Sequence, residues 1–348
     1  MQFDLFNQPP ENRPSLNIRK RVKPPKATPE AATADAGESA HANGAANAPR
    51  TPGRRRYIHP PANPHAAALR LAEAVTSAWW KAGGTNRFEI AIGAVAGVAL
   101  WPAKGSTVAP YVADWWRTLS GTDTLKALEE SFARSWISRP DLIECARPVH
   151  EWLTDEKTSG DHATPVRAVV RAALNAGLLD LLGDEDPYFR STTDVFGFLL
   201  TAFRSPGQSE NLAEIHTPPE LAELMARMVL DGTDWQPGRS IDDPAAGSGG
   251  LHRAVAQALR DAGRSPADFL WSMTDVDPIA ASLCAVNAIV WDLGPNVLVW
   301  CGDTLAEGDG PQRAAKRRAQ VIEHRNQYVR IAKMGAAIQG LQRQSIAA

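Results

Sequence analysis

The chain has 348 residues, with 37 Lys/Arg against 39 Asp/Glu and a net charge of −2. That balance excludes a protein that coats nucleic acid through overall positive charge, and a hydrophobic content of 44% excludes a wholly disordered one. The charge is unevenly spread. Residues 1–65 carry ten Lys/Arg and five Asp/Glu, residues 311–348 carry eight and one, and the stretch between them is strongly acidic. Cys145, Cys284 and Cys301 are too few and too widely spaced for a disulfide framework or a paired-cysteine zinc site, so ordinary thiols in a reducing cytoplasm are expected. The opening residues lack the charged-then-apolar run of a signal peptide. The longest apolar run, Ile90 to Trp101, falls well short of the roughly 20 residues a membrane span needs. A soluble, cytoplasmic chain with no membrane segment is expected.

Four regions follow in order. Residues 1–64 are rich in Pro, Ala, Asn and Gly, with basic clusters Arg19-Lys20-Arg21 and Arg54-Arg55-Arg56. Such a stretch buries too little apolar surface to offset its ordering entropy, so a disordered basic arm is expected. Residues 65–206 read as a helical domain: Leu69, Ala72, Val75 and Trp79 recur at three- and four-residue spacing, as do Leu125, Leu128, Phe132 and Trp136. Pro140 and Pro148 flank a short helix, and Thr164-Pro165 is expected to open another. Seven of the eleven Trp lie between 79 and 152. Without interleaved Lys/Arg they read as packing residues rather than as stacking platforms for bases.

Residues 207–310 change texture. Thr217-Pro218-Pro219 starts an amphipathic helix whose Leu221, Leu224, Met225 and Met228 share a face. Three strands are expected at Ser240–Asp243, near Phe269–Thr274 and at Val297–Trp300. Helices from Leu251 to about Ala262 and from Ile279 to Trp291 separate them. Strands alternating with helices of this length mean an α/β fold with a parallel sheet. Residues 311–348 form a basic tail, helical from about Gln312 to Met334.

In an open parallel sheet, ligands bind beyond the carboxyl ends of the strands. Asp243, Asp275 and Asp303 fall at three successive strand ends, and a glycine loop follows the first. Gly247 and Gly249 lack the Cβ that would block close approach of a ligand to the backbone. No Lys follows the loop, and a carboxylate stands at its mouth, so a pyrophosphate is disfavoured. These groups suit a ligand with an ammonium, a ribose and an adenine, which is S-adenosylmethionine (SAM). Asp275 would accept ribose hydroxyls and Asp303 an exocyclic amine. Each Asp alone has a plainer reading as a turn or cap residue.

Asp243-Pro-Ala-Ala-Gly-Ser-Gly-Gly250 resembles the SAM-binding motif of adenine-specific DNA methyltransferases, with Ala246 in place of the usual Cys. The likeness is greatest to the modification subunits of type I restriction systems. Asp194-Val-Phe-Gly-Phe-Leu-Leu200, Ile215-His-Thr-Pro-Pro219, Asp275-Val-Asp-Pro278, Asn287 and Cys301-Gly-Asp-Thr-Leu305 resemble further elements in family order over about 190–305. The resemblance implies a helical N-terminal domain followed by a partial class I, Rossmann-like methyltransferase sheet. It implies SAM contacts from Thr217, Asp243, Ala245, Gly247, Ser248, Gly249, Asp275 and Asp303, with Thr217 at the methionine carboxylate.

The family's catalytic Asn/Asp-Pro-Pro-Tyr/Phe should follow within a few tens of residues, but no Pro occurs after Pro311. The first strand, normally central, would then lie at an edge, covered either by the C-terminal helix or by another chain. Three functions compete. The first is a DNA adenine methyltransferase-like protein whose catalytic motif or target recognition comes from a protein partner. The second is a non-catalytic SAM- or DNA-binding module of a restriction-modification or mobile-element system. The third is a small-molecule methyltransferase. DNA is the expected partner, met through Arg313, Lys316, Arg317 and Arg318 of the basic tail.

Overall fold

The computed structural model describes residues 57–204, 217–231 and 235–347, with side chains as far as Ala336. The basic clusters of the expected N-terminal arm, and Ile215-His216, lie outside the described residues. Packing is already established at Ile58, which is 5% exposed and whose N–H donates to the Ser106 carbonyl at 2.9 Å. Ordered packing therefore begins upstream of the boundary expected at residue 64.

Among the described residues, nine α-helices make up the helical layer: α1 Pro64–Lys81, α2 Phe88–Ala99, α3 Ala109–Thr118, α4 Gly121–Ser138, α5 Pro140–Cys145, α6 Glu156–Asn175, α7 Leu178–Leu182, α8 Pro187–Arg190 and α9 Val195–Phe203. Their starts follow local chemistry. Asn63, Ser120, Asp155 and Asp194 each accept a backbone N–H from the first turn of the helix they precede. The apolar run is the centre of this layer: every residue of α2 from Ile90 to Ala99 is buried. No helix among the described residues is long and apolar enough to cross a membrane.

One helix start differs from expectation. Pro165 does not open a helix but lies inside the 20-residue α6, whose cap is Asp155. Proline removes the backbone donor to the carbonyl four residues earlier. Here the buried Val166, Val169 and Val170 face holds the helix together across that gap. The tryptophans pack in part as expected, with Trp80 and Trp115 remaining exposed. Trp79, Trp116 and Trp152 are buried, and Trp101 sits 4.9 and 5.5 Å from the Trp115 and Trp116 ring centres.

The α/β portion comprises α10 Pro219–Asp231, β1 Ser240–Asp243, α11 Gly250–Asp261, β2 Leu270–Asp275, α12 Pro278–Val290, β3 Val297–Cys301 and α13 Gly310–Ala347. The strands form a parallel sheet in the order β1-β2-β3, with Ile241 beside Trp271 and Met273 beside Val299. Two successive right-handed crossovers in one direction put α11 and α12 on the same face. One continuous apolar core joins the helical layer to that face, running from Trp79 and Phe196 through Val286 to Met273 and Val299.

The C-terminal helix starts at Gly310 and continues to Ala347, longer than the sequence pattern indicated. It packs on β3 and α5, where Ala314 is buried. It therefore covers the β3 side of the sheet and not the β1 edge. The reason is connectivity: the turn after β3 delivers the helix to the nearest uncovered apolar surface, Val297 to Val299.

Candidate functional site

The chemistry-bearing loop, Pro244 to Gly249, joins β1 to α11. Gly249, at φ +92°, is the residue before α11, and Gly247 has φ +57°. Both lie in the left-handed region that glycine enters without steric cost. A Cβ on Gly249 would also be tight, 3.3 Å from the Trp291 ring. A Cβ on Gly247 would meet no protein atom within 4 Å, so that side of the loop opens on free space.

That space is a cavity of about 320 Å³ between α9, the start of α10 and the loop. Thr217, Asp243, Ala245, Gly247 and Ser248 line it, joined by Leu69 from α1 and Phe198 from α9. Five of the eight residues expected to hold the ligand thus meet in one place. Gly249, Asp275 and Asp303 do not line this cavity.

Asp275 instead braces the loop from beneath. Its Oδ2 accepts the Gly247 N–H at 2.7 Å, and its Oδ1 accepts the Asp277 N–H at 2.9 Å. Asp243 accepts the Ala245 N–H at 3.0 Å, and Asp303 accepts those of Leu305 and Ala306 at 2.9 and 3.3 Å. The Thr304 hydroxyl donates to the Pro244 carbonyl at 2.8 Å, tying the third strand end to the first. Each strand-end carboxylate therefore caps its own turn, the plainer role the sequence allowed, and Asp275 in addition holds the glycine loop of the neighbouring strand.

A second bracket comes from the helical layer. Asp194 Oδ1 accepts the Gly197 N–H at 2.9 Å, and Oδ2 accepts the Ser248 hydroxyl at 2.5 Å. Asn287, 1% exposed, donates from Nδ2 to Asp194 at 2.9 Å and to the Ser248 carbonyl at 2.8 Å. Three elements, α9, the loop and α12, converge on this carboxylate. Sequence reasoning noticed Asp194 and Asn287 only as family-like positions. The one local signal, an Asp before an apolar helix, marks a cap and says nothing of Ser248.

Arg253 was missed altogether. It is buried, lines the cavity, and donates to the carbonyls of Ser191 and Thr192 and to Glu223 on α10 at 2.9 Å. His65 of α1 meets the same Glu223 oxygen at 3.3 Å. Burial pushes the Glu223 carboxyl up, but Arg253 and His65 outweigh it and hold it below its ordinary range. This pairing sets the start of α10, and so Thr217, against the glycine loop. The buried Cys284 donates its S–H to the Gly247 carbonyl at 3.0 Å. Burial, reinforced by Asp275, raises this thiol well above its ordinary pKa, which makes it a packing group and not a nucleophile.

The tail residues expected at nucleic acid are largely engaged within the protein. Arg313 pairs with Glu307 and Asp309 and lies over the Trp300 ring. Arg317 donates to the Glu144 carbonyl, and Arg318 to Asp141 and to the Pro295 carbonyl. Lys316 is exposed.

Residues 191–325 match the family model described as N-6 DNA methylase. Among solved structures, a type I restriction-modification system methyltransferase subunit from Streptococcus thermophilus is similar at 14% identity and a TM-score of 0.41. The similarity covers 70% of this chain and 59% of that one, so the chain spans less than two thirds of that subunit's length. No curated protein matches the chain.

Proposed function

We propose, from the match of residues 191–325 to the N-6 DNA methylase family model, that this chain is the SAM-holding part of a cytoplasmic DNA adenine N6-methyltransferase. The observation that carries the reading is the cavity: Thr217, Asp243, Ala245, Gly247 and Ser248, spread over 32 residues of sequence, line one space beside the open face of Gly247. The donors and acceptors fit the cofactor. Thr217 sits just before the N-terminus of α10, where backbone N–H groups and the helix dipole favour a carboxylate. Asp243 suits an ammonium, and the glycine loop admits close backbone approach. Asp275, whose carboxylate holds the Gly247 N–H of the loop, is assigned to the ribose, and Asp303 at the third strand end to the adenine amine. When bound, SAM supplies a methyl group on a sulfonium sulfur.

The remaining requirement is alignment of the target adenine, which must leave the DNA stack for its amine to be reached. No Asn/Asp-Pro-Pro-Tyr/Phe follows Asp303 in these residues. The groups that hold the flipped base are therefore assigned to residues outside this segment, and DNA is the substrate. Calorimetric titration with SAM tests the reading. Wild type binds, while Asp275→Ala and Gly247→Val lose affinity with circular dichroism unchanged. Absence of binding by wild type overturns it, and retained affinity in both variants overturns the site assignment. A radiolabelled methyl-transfer assay on DNA is expected to show no transfer by this chain alone.

A further inference from the structure

The helix layer overhangs the sheet at β1. Two faces of α11 show how. On one flank Arg260 reaches the Trp291 carbonyl at the end of α12. On the other, Leu251, Ala254, Val255 and Ala258 meet Ala222 and Ala226 of α10. At about 100° per residue these flanks are nearly opposite, so α10 lies on the far side of α11 from α12, beyond β1. Among the described residues no strand lies beneath it.

The exposed face of α10 looks into that gap. Its alanines meet α11, and Glu223 points to His65 of the helical layer and to the Arg253 guanidinium, which reaches from α11 to that layer's Ser191 and Thr192 carbonyls. Leu221, Leu224, Met225 and Met228 lie about 150° around the helix from Glu223, on the side away from that layer and toward the level of the sheet. They are 47%, 54%, 43% and 67% exposed, an inversion of the usual arrangement in which large apolar residues face the core and small ones do not. The strand agrees: β1 has no buried residue, whereas β2 and β3 each have three, and parallel strands are ordinarily buried on both faces. The opposite edge differs, because α13 and α5 pack on β3.

We propose that the open edge of β1 and the Leu/Met stripe of α10 form one docking surface for a β-strand of a partner protein. That strand pairs with β1, turns apolar side chains up under α10, and carries neutral or basic residues beside Asp242 and Asp243. A second copy of this chain fits poorly. Two-fold pairing of β1 with itself crowds four carboxylates, Asp242 and Asp243 of both copies, onto one four-residue ladder, and their mutual repulsion disfavours it. The surface is defined by exposure and strand order alone, so it stands whether or not the cavity holds SAM.

The purified product of each reading frame adjoining this chain's gene would be mixed with the full chain. Sedimentation velocity and hydrogen exchange would follow. One product is expected to form a one-to-one complex that slows exchange at residues 240–243 and 219–231. Leu224→Glu with Met228→Glu should weaken it at least tenfold, while Tyr111→Glu, an exposed apolar residue on α3, should not. Met228→Glu alone, at the most exposed stripe position, guards against misfolding of the double variant. Unaltered SAM titration by the same variants separates this result from the fate of the cofactor site. Absence of a complex with every adjoining product, protection elsewhere, unchanged binding by the variants, or a self-dimer abolished by them overturns the proposal.

Discussion

Asp194→Ala removes the carboxylate on which α9, the glycine loop and α12 converge, and its cost can be worked from the three bonds lost. Loss of an N-cap costs about 1 kcal/mol, here the bond from the Gly197 N–H. Loss of the Ser248 hydroxyl's acceptor, at 2.5 Å, costs about 1 kcal/mol more. The buried Asn287 amide keeps one of its two partners, the Ser248 carbonyl, and leaving the other N–H short costs a further 1–2 kcal/mol or so. The sum is about 3–4 kcal/mol. Asp194→Asn is the informative control. Its oxygen still accepts from Gly197 and Asn287, its amide donates to a Ser248 hydroxyl that can reverse its role, and Asn is a good cap, so it should cost about 1 kcal/mol. Urea unfolding with a common m-value measures both. Ala within 1 kcal/mol of wild type, or Asn as damaging as Ala, would refute the bracket. SAM titration should fall in the same order, Ala below Asn below wild type, because Ser248 lines the cavity.

Other expectations follow from single contacts. Gly249→Ala forces a side chain into φ +92° beside the Trp291 ring and should cost about 2 kcal/mol in the same unfolding assay. Gly93→Ala on the buried stretch of α2 would drive its Cβ into the Val149 carbonyl oxygen, with a loss of about 3 kcal/mol or failure to fold at 37 °C. Lys104 gives a pH dependence. Burial, and secondarily the charge of Arg190, brings its amine down to about 7, while in the unfolded chain it stays near 10.5. Unfolding therefore takes up a proton between those values. Stability from this group rises with pH through that window, by at most about 1.4 kcal/mol per pH unit, and is lost as pH falls to 7. In Lys104→Met that rise should vanish from urea midpoints measured between pH 7 and 9. A fixed loss of about 1–3 kcal/mol should remain, because the Ala99 and Leu182 carbonyls lose their donor.

Much of the local structure was legible in the residues. The three strands, their crossover helices and the glycine loop follow from alternating patterns and from punctuation by Asp, Pro and Gly, and each falls within two residues of its expected place. Pro165 was misread because a proline seen locally is a helix start, whereas a buried valine face elsewhere on α6 carries the helix through it. The basic tail was read as a contact for DNA, and its packing within the protein could not be seen. Its arginines instead meet Glu144, Asp141 and Pro295, which are close only because α13 folds back on α5 and β3.

By itself the sequence determined the α/β class, the order of the strands and their crossover helices, the glycine loop after the first strand, and the acidic body between basic ends. Tertiary structure alone decided which of those residues share a cavity. It set Asp194 against Ser248, gave Asp275 a bracing role under Gly247, and turned the Leu/Met stripe of α10 outward. The reason is physical. Periodicity reveals that a helix has an apolar face and that a strand ends in a carboxylate, because both are local. Whether that face is covered, and what that carboxylate meets, depends on chain segments tens of residues away, and only the packed fold brings those together.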